Sequence, residues 1–182
     1  MKLFKQIETD RLLIRPFSLN DDITKMNWFF DPLVMGQTIG DVEKNLKTLK
    51  LRIDRYINHQ LRYGYSKWLV LDKYSGKYIG DCGIYTLLFE GQLIDDIGFR
   101  LASEYWRKGI GSEMTKSWIY EYFALPPFNF LYAHIEPDNL KSKSLLSKLG
   151  FKYEKPVTVY GEILNRYYLD RKSWNESLKR DE

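Results

Sequence analysis

The stretch of sequence that decides the fold is residues 97–114, IGFRLASEYWRKGIGSEM. Its first part predicts a strand, and after a short loop its last part predicts the start of a helix. The first turn of a helix leaves backbone N–H groups unpaired and partially positive, so this junction can hold an anion. Gly109 and Gly111 let a phosphate approach the backbone, while Arg107 and Lys108 add positive charge. A cradle suited to a pyrophosphate is therefore predicted at Arg107, Lys108, Gly109, Ile110, Gly111 and Ser112.

Taken alone, one G-x-G after a strand is a weak signal, because a tight turn with close helix packing uses the same glycines. The segment is not a P-loop, since the Gly-Lys-Ser/Thr ending is missing. It is not the dinucleotide-binding fingerprint either, since it holds one G-x-G and the strands before it look antiparallel. The rest of the chain must decide between a turn and an anion site.

The residues before this stretch predict three consecutive strands with short Gly-containing turns, which is typical of an antiparallel meander. One strand and two helices precede them, and apolar residues at helical spacing mark the second helix. The predicted ranges are a strand at 11–15, helices at 18–30 and 41–61, and strands at 68–72, 78–88 and 93–101.

The residues after the stretch alternate between helix and strand. Pro126 and Pro127 end the helix that begins at the cradle, and Gly150 is a natural stop for a later helix. The predicted ranges are helices at 109–124 and 139–149, a strand at 130–135, and a hairpin of strands at 152–160 and 163–170. Because no linker or repeat divides this order, we expect a single domain over residues 1–182.

A second motif, HIEPDNLKSKSLLSKLGF at residues 134–151, gives the first its meaning. With both motifs the chain resembles the GCN5-related N-acetyltransferase (GNAT) superfamily. Residues 104–113 (EYWRKGIGSE) are similar to its acyl-CoA pyrophosphate loop, and residues 139–151 to its N-x-x-S-(x)5-K-L-G-F helix. The opening TDRLLIRPF, residues 9–17, is similar to the first strand of the subgroup that includes ribosomal-protein N-terminal acetyltransferases. The resemblance extends to the element order over most of the chain.

The resemblance implies an α+β fold in three layers. Its mixed sheet has about seven strands, is splayed between the fourth and fifth, and is flanked by about four helices. Acetyl-CoA, the acyl donor, lies in the gap. Backbone groups of Phe99, Arg100 and Leu101 are then expected to bind its pantetheine arm, which Asn139 also touches. Ser142 matches the position that hydrogen-bonds the departing thiolate.

Two positions depart from the superfamily pattern. Trp106 stands where the loop usually has Gln or Arg, three residues before the first glycine. Leu146 stands where many members have a tyrosine acid, so the role of the acid passes to Ser142 by analogy.

The implied reaction is direct attack of a neutral primary amine on the thioester, with both substrates bound at once. Amines with a lysine-like pKa near 10.4 are mostly protonated at neutral pH, so a base or a water chain must take the proton. Asp96, on the strand entering the gap, is one candidate base. The alternative interpretation is a solvated strand residue without a catalytic role. Glu162 is another candidate base, and the alternative is that it lies at an exposed hairpin tip and has no role. His134 is a third candidate, because a histidine can titrate near neutrality. The alternative is a hydrogen-bonded strand histidine with a structural role.

Composition narrows the function classes. The formal net charge of +4 is too small to argue for a nucleic-acid partner. Cys82 is the one cysteine, so we expect no internal disulfide and a buried small residue on a strand. The first residues lack the apolar core of a signal peptide, and no apolar run is long enough for a membrane span. We therefore expect a cytoplasmic protein with no metal, either a monomer or a homodimer.

The acceptor stays open at this stage between a protein N-terminus, a polyamine, an aminoglycoside and another small amine. Candidates for the walls of its pocket are Trp28, Phe29, Phe30, Tyr85 and Tyr160. Two other functions are possible: a GNAT-like module that binds acyl-CoA without turnover, and a basic module that binds RNA or the ribosome.

Overall fold

The computed structural model describes residues 6–36, 42–159 and 161–178. Their strands form one mixed sheet of eight strands in the order β1-β2-β3-β4-β5-β6-β8-β7. The strands are β1 (Ile7–Glu8), β2 (Leu12–Pro16), β3 (Lys67–Asp72), β4 (Tyr78–Phe89), β5 (Gln92–Leu101), β6 (Phe130–Ile135), β7 (Lys152–Val159) and β8 (Glu162–Asp170).

Five α-helices of the described residues flank the sheet, and the predicted α+β class is confirmed with one more strand and one more helix than expected. Three short segments were not predicted: the two-residue strand β1, the four-residue helix at Pro32–Met35 and the last helix, at Arg171–Leu178. The helices are α1 (Pro32–Met35), α2 (Leu46–Tyr63), α3 (Ile110–Ala124), α4 (Leu140–Lys148) and α5 (Arg171–Leu178). Within the described ranges, none of these helices is long and apolar enough to cross a membrane.

The gap in the sheet lies between β5 and β6, the strands predicted as fourth and fifth. They are the sheet's one parallel pair among the described residues, and their register has a single pair of partners, Asp96 and Tyr132. By contrast, β4 and β5 are paired along ten residues. The parallel strands therefore diverge after Asp96, which leaves the second half of β5 unpaired on its β6 side.

The predicted helix over residues 18–30 is wrong. Two 3-10 turns, Ile23–Lys25 and Asn27–Phe29, occupy its second half. The Asp21 carboxylate accepts from the Ser18 amide, and the Asp22 carboxylate accepts from the Thr24 amide. Such local bonds offer the backbone an alternative to helical pairing.

The other helices match the predictions more closely. Asn45 caps α2 by accepting from the Thr48 amide, which places the start of α2 after the predicted residue 41, itself outside the described ranges. At the end of α4, Gly150 adopts φ 86° and the Phe151 amide donates to the Leu146 carbonyl. This is the glycine-terminated helix end that Gly150 predicts.

The sheet has two buried faces. Ile84 and Ile97 belong to the core beneath α3, while Tyr56 of α2 and Leu69 belong to the core on the other side. Side chains alternate between faces along a strand, so Asp96, Gly98 and Arg100 of β5 share the α2 side. The residues that open onto the gap are thus set by the strand period.

Candidate active site

The predicted anion cradle lies at the start of α3. Gly109 precedes the helix with φ 76°, and no side chain caps the first turn. Arg107 also adopts a positive φ, 59°, which L-residues rarely do. Two left-handed residues so close together curl the backbone around the uncapped amides, so the loop is shaped for an anion.

Contacts from the turn between β1 and β2 hold this loop. Arg11 Nε donates to the Glu113 carboxylate over 2.7 Å, and Arg11 Nη1 donates to the Lys108 carbonyl over 2.8 Å. The Thr9 hydroxyl also donates to Glu113. Sequence reasoning missed Arg11 and Glu113, because their contact spans 102 positions.

A cavity of about 540 Å³ runs from the cradle along the end of β5 and the facing side of α4. Nine of the predicted cofactor and leaving-group residues line it: Phe99, Arg100, Leu101, Arg107, Gly109, Gly111, Ser112, Asn139 and Ser142. Two predicted residues do not: the Ile110 side chain is buried in the core, and Lys108 Nζ lies 5.5 Å from the centre of the Tyr105 ring. We call this space the donor cavity.

Several of these side chains already have protein partners. Arg100 donates to Asp81 and to the Tyr56 hydroxyl, so its guanidinium is already bound by the protein. Trp106 Nε1 donates to the Leu101 carbonyl over 2.7 Å, which uses that acceptor. The Asn139 side-chain oxygen accepts from the Ser142 amide and thereby orients the start of α4.

A second cavity of about 490 Å³ opens on the α2 side of the gap. We call it the acceptor cavity. Three residues, Phe99, Arg100 and Ser142, line both cavities. Ser142 therefore stands where the two spaces meet. The predicted pocket wall Tyr85 lines the acceptor cavity, whereas Trp28 and Phe29 are buried in the core; Tyr160 lies outside the described residues.

A histidine and a carboxylate form a pair in the acceptor cavity. Asp96 Oδ1 lies 2.8 Å from His134 Nδ1 and also accepts from the His134 amide over 3.1 Å. The His134 side chain is fully buried, and its Nε2 has no hydrogen-bond partner among the described residues. A carboxylate on Nδ1 selects the tautomer whose Nε2 carries a lone pair. A buried proton acceptor, with no partner among the described residues, therefore lies beside the acceptor cavity.

Lys67 supplies a buried cation to the same cavity. Its ammonium donates to the Gly83 carbonyl over 2.9 Å. Burial lowers the pKa of Lys67 to about 8, although the negative charge of Asp96 opposes the shift. The side chain is therefore mostly protonated at pH 7.

Two other chemical groups take no part in the gap. Glu162 is exposed at the start of β8, at the tip of the hairpin, and lines neither cavity. We therefore leave it out of the site. Cys82 is buried, and burial raises the pKa of its thiol to about 12, which leaves no thiolate to act as a nucleophile at neutral pH.

Comparison with known proteins finds one matching family model and relatives that match most of the chain. The family model described as "Acetyltransferase (GNAT) domain" matches residues 11–152. The chain is 29% identical over 175 residues to "Uncharacterized protein YkkB" of Bacillus subtilis, covering 93% of this chain and 97% of that protein. It is 27% identical to "Uncharacterized N-acetyltransferase p20" of Bacillus licheniformis, covering 87% of this chain and 88% of that protein.

Two solved structures share the fold. One is an acetyltransferase from Agrobacterium tumefaciens, with TM-score 0.75, 17% identity, and coverage of 93% of this chain and 96% of that one. The other is a ribosomal-protein-S5-alanine acetyltransferase from Vibrio fischeri, with TM-score 0.74, 20% identity, and coverage of 93% and 98%. At these identities the likeness concerns the fold alone.

Proposed function

The chain belongs to the GNAT acetyltransferase family, and we propose that it transfers the acetyl group of acetyl-CoA to a primary amine by direct attack in a ternary complex. One observation carries this proposal. The donor and acceptor cavities meet at Ser142 of α4, beside Phe99 and Arg100 of β5. A transferase that forms no covalent enzyme intermediate needs such a junction, because its two substrates must touch.

The residues present fit acetyl-CoA. Gly111 lines the donor cavity, and a Cβ there would lie 3.1 Å from Leu145 Cδ1, so any side chain would take up space between α3 and α4. The uncapped amides of α3 and the charge of Arg107 would hold the diphosphate. Unpaired backbone groups of Phe99 and its neighbours on β5 would bind the pantetheine arm. Acetyl-CoA supplies the thioester whose acyl group is transferred.

Three groups of the chain divide the chemistry. His134 Nε2 takes a proton from the ammonium form of the acceptor, and Asp96 orients the imidazole and stabilises its positive charge. Backbone N–H groups on the open side of β5 stabilise the charge that develops on the carbonyl oxygen. The Ser142 hydroxyl donates to the departing sulfur. A new C–N bond forms as the C–S bond breaks, and the products are an N-acetylated amine and CoA.

The proposal is tested by mixing the protein with acetyl-CoA and a panel of primary amines while measuring free thiol. We expect CoA release that depends on the amine. Ser142→Ala should lower turnover by at least about tenfold with little change in acetyl-CoA affinity, since the serine acts on the leaving group. Ser147→Ala, at an exposed position of α4 outside both cavities, is the matched control.

Two outcomes would overturn the proposal. If acetyl-CoA binds and no amine releases CoA, the chain is an acyl-CoA-binding module without turnover. If Ser142→Ala turns over at the wild-type rate, Ser142 has no part in the reaction.

A further inference from the structure

The path of the Lys67 side chain depends on two glycines. Lys67 of β3 is the register partner of Gly83 of β4, which is the register partner of Gly98 of β5. Neither glycine has a side chain, so the lysine can cross the sheet surface. A Cβ on Gly98 would overlap Lys67 Nζ, which shows that the ammonium rests directly on β5. The Lys67 side chain thus extends from β3 over the two glycines, and its ammonium lies at the floor of the acceptor cavity.

This cation is not matched by a carboxylate. The only hydrogen bond recorded for its ammonium, within the described part of the chain, goes to the Gly83 carbonyl, and no carboxylate there lies within 4 Å of it. Asp96 is the one carboxylate that lines the cavity, and its Oδ1 is bound to His134. A buried ammonium with donors to spare favours an anion beside it.

The charges around the cavity point the same way. Its lining includes four cationic residues, Arg52, Arg55, Lys67 and Arg100. Arg52 is paired with Glu43, and Arg100 is paired with Asp81. Arg55 is exposed at the mouth, and no described carboxylate pairs with it. After these pairings Lys67 and Arg55 remain against Asp96, the only carboxylate among the described lining residues, so the lining carries an excess of positive charge.

The proton acceptor and the cation are also close together. Asp96 and Gly98 lie two residues apart on the same face of β5, which is a separation of about 7 Å. His134 is held by Asp96, and the Lys67 ammonium rests on Gly98. A small molecule in the cavity would therefore lie near both, with its amine toward the Asp96–His134 pair and an anionic group at Lys67.

We infer that the acceptor is an amino acid, whose amino group faces His134 and whose carboxylate is bound by Lys67. This inference rests on the proposed acetyl transfer and names the substrate class of the same site. A polyamine or an aminoglycoside would place further positive charge against Lys67 and Arg55, and like charges repel at this range.

The experiment compares each of the twenty common amino acids with its own carboxamide, and adds spermidine as a polycation. CoA release gives kcat/KM for each. For the best acceptor we expect the acid to exceed its amide by about tenfold, which corresponds to about 1.4 kcal/mol. The comparison is stringent, because the amide removes the negative charge and leaves the amino group in place.

Two variants assign the preference to the lysine. Lys67→Met removes the charge at similar volume, and Gly98→Ala displaces the ammonium while keeping the lysine. Each should reduce the acid-to-amide ratio to about twofold or less, mainly through KM, with acetyl-CoA affinity unchanged. Lys47→Met, at an exposed position of α2 outside the cavity, should keep the wild-type ratio. Thermal unfolding checks that each variant is folded.

The outcomes separate this inference from the proposed function. Faster reaction with amides or with spermidine would overturn the amino-acid acceptor and leave acetyl transfer standing. An equal loss with acid and amide in Lys67→Met would overturn the role of Lys67 in recognition. If acetyl-CoA binds and no amine in the panel releases CoA, the transferase function itself fails, and the acceptor class fails with it.

Discussion

Arg11 Nη1 donates a 2.8 Å hydrogen bond to the main-chain carbonyl of Lys108. The turn between β1 and β2 is thereby joined to the loop that would hold the CoA diphosphate. Arg11 lines neither cavity, so its effect on a ligand must pass through the loop. The residues near the N-terminus thus support the site, although their strand pattern alone does not indicate this.

Replacing Arg11 should weaken the cradle from a distance. Arg11→Met removes the bonds to Lys108 and Glu113 that fix the loop, and we expect the acetyl-CoA Kd to rise by about threefold to tenfold. Calorimetric titration measures it. Lys73→Met, which breaks the exposed Lys73–Glu8 pair at the same end of the sheet, should leave the Kd unchanged. Wild-type affinity in Arg11→Met would show that the loop keeps its shape unaided.

A bulky residue in the cradle should block the phosphate. Gly111→Val places a branched side chain on the wall of the donor cavity, beside Leu145. Helix α3 should persist, because glycine is the weaker helix former. We expect the acetyl-CoA Kd to rise by at least about tenfold. Tyr120→Val, at an exposed position of α3, serves as control. Unchanged affinity in a folded Gly111→Val protein would contradict the cradle.

Removing the imidazole should slow the chemical step. His134→Gln should lower kcat/KM by about 10²–10⁴-fold at pH 7, with acetyl-CoA affinity preserved. Asp96→Asn should lower it in the same direction, because the amide no longer stabilises a charged imidazole. Stopped-time assays of CoA release measure both. Turnover at the wild-type rate in His134→Gln would exclude the histidine as the base.

A second histidine should make stability depend on pH. His59 Nδ1 lies 2.8 Å from the Tyr65 carbonyl, and Nε2 accepts from the Thr86 amide over 2.9 Å. Burial lowers the pKa of His59 below its ordinary 6.5, so as the pH falls below that value the unfolded chain takes up a proton first. The free energy of unfolding should therefore decrease between pH 7.5 and 5.5.

Urea unfolding of a matched pair checks this dependence. His59→Gln keeps an acceptor and a donor without the titration, so its free energy of unfolding should change less over the same pH range. Asn58→Gln, at the exposed neighbouring position, should follow the wild type. Parallel pH profiles for wild type and His59→Gln would contradict the role of His59.

The sequence predicted correctly those features that depend on residues close together along the chain. Gly109 and Gly111 placed the cradle, and the strand predicted at 130–135 has the observed bounds. The failure over residues 18–30 has a local cause too, since Asp21 and Asp22 bind nearby amides in place of helical bonds.

Contacts set by strand register could not be read in advance. Asp96 and His134 were each visible as candidate bases, but their pairing depends on the parallel register of β5 and β6. Lys67 carried no signal at all, because its position in the cavity follows from two glycines on neighbouring strands. Register depends on pairing across the whole sheet, which residue patterns along one strand do not contain.

A crystal structure with acetyl-CoA bound examines the site where acyl transfer is proposed. We expect the diphosphate on the amides of Gly109, Gly111 and Ser112, the pantetheine arm between β5 and β6, and the thioester sulfur within about 3.5 Å of Ser142 Oγ. Acetyl-CoA bound outside this gap, or a sulfur atom remote from Ser142 with the gap closed, would contradict the proposed transfer.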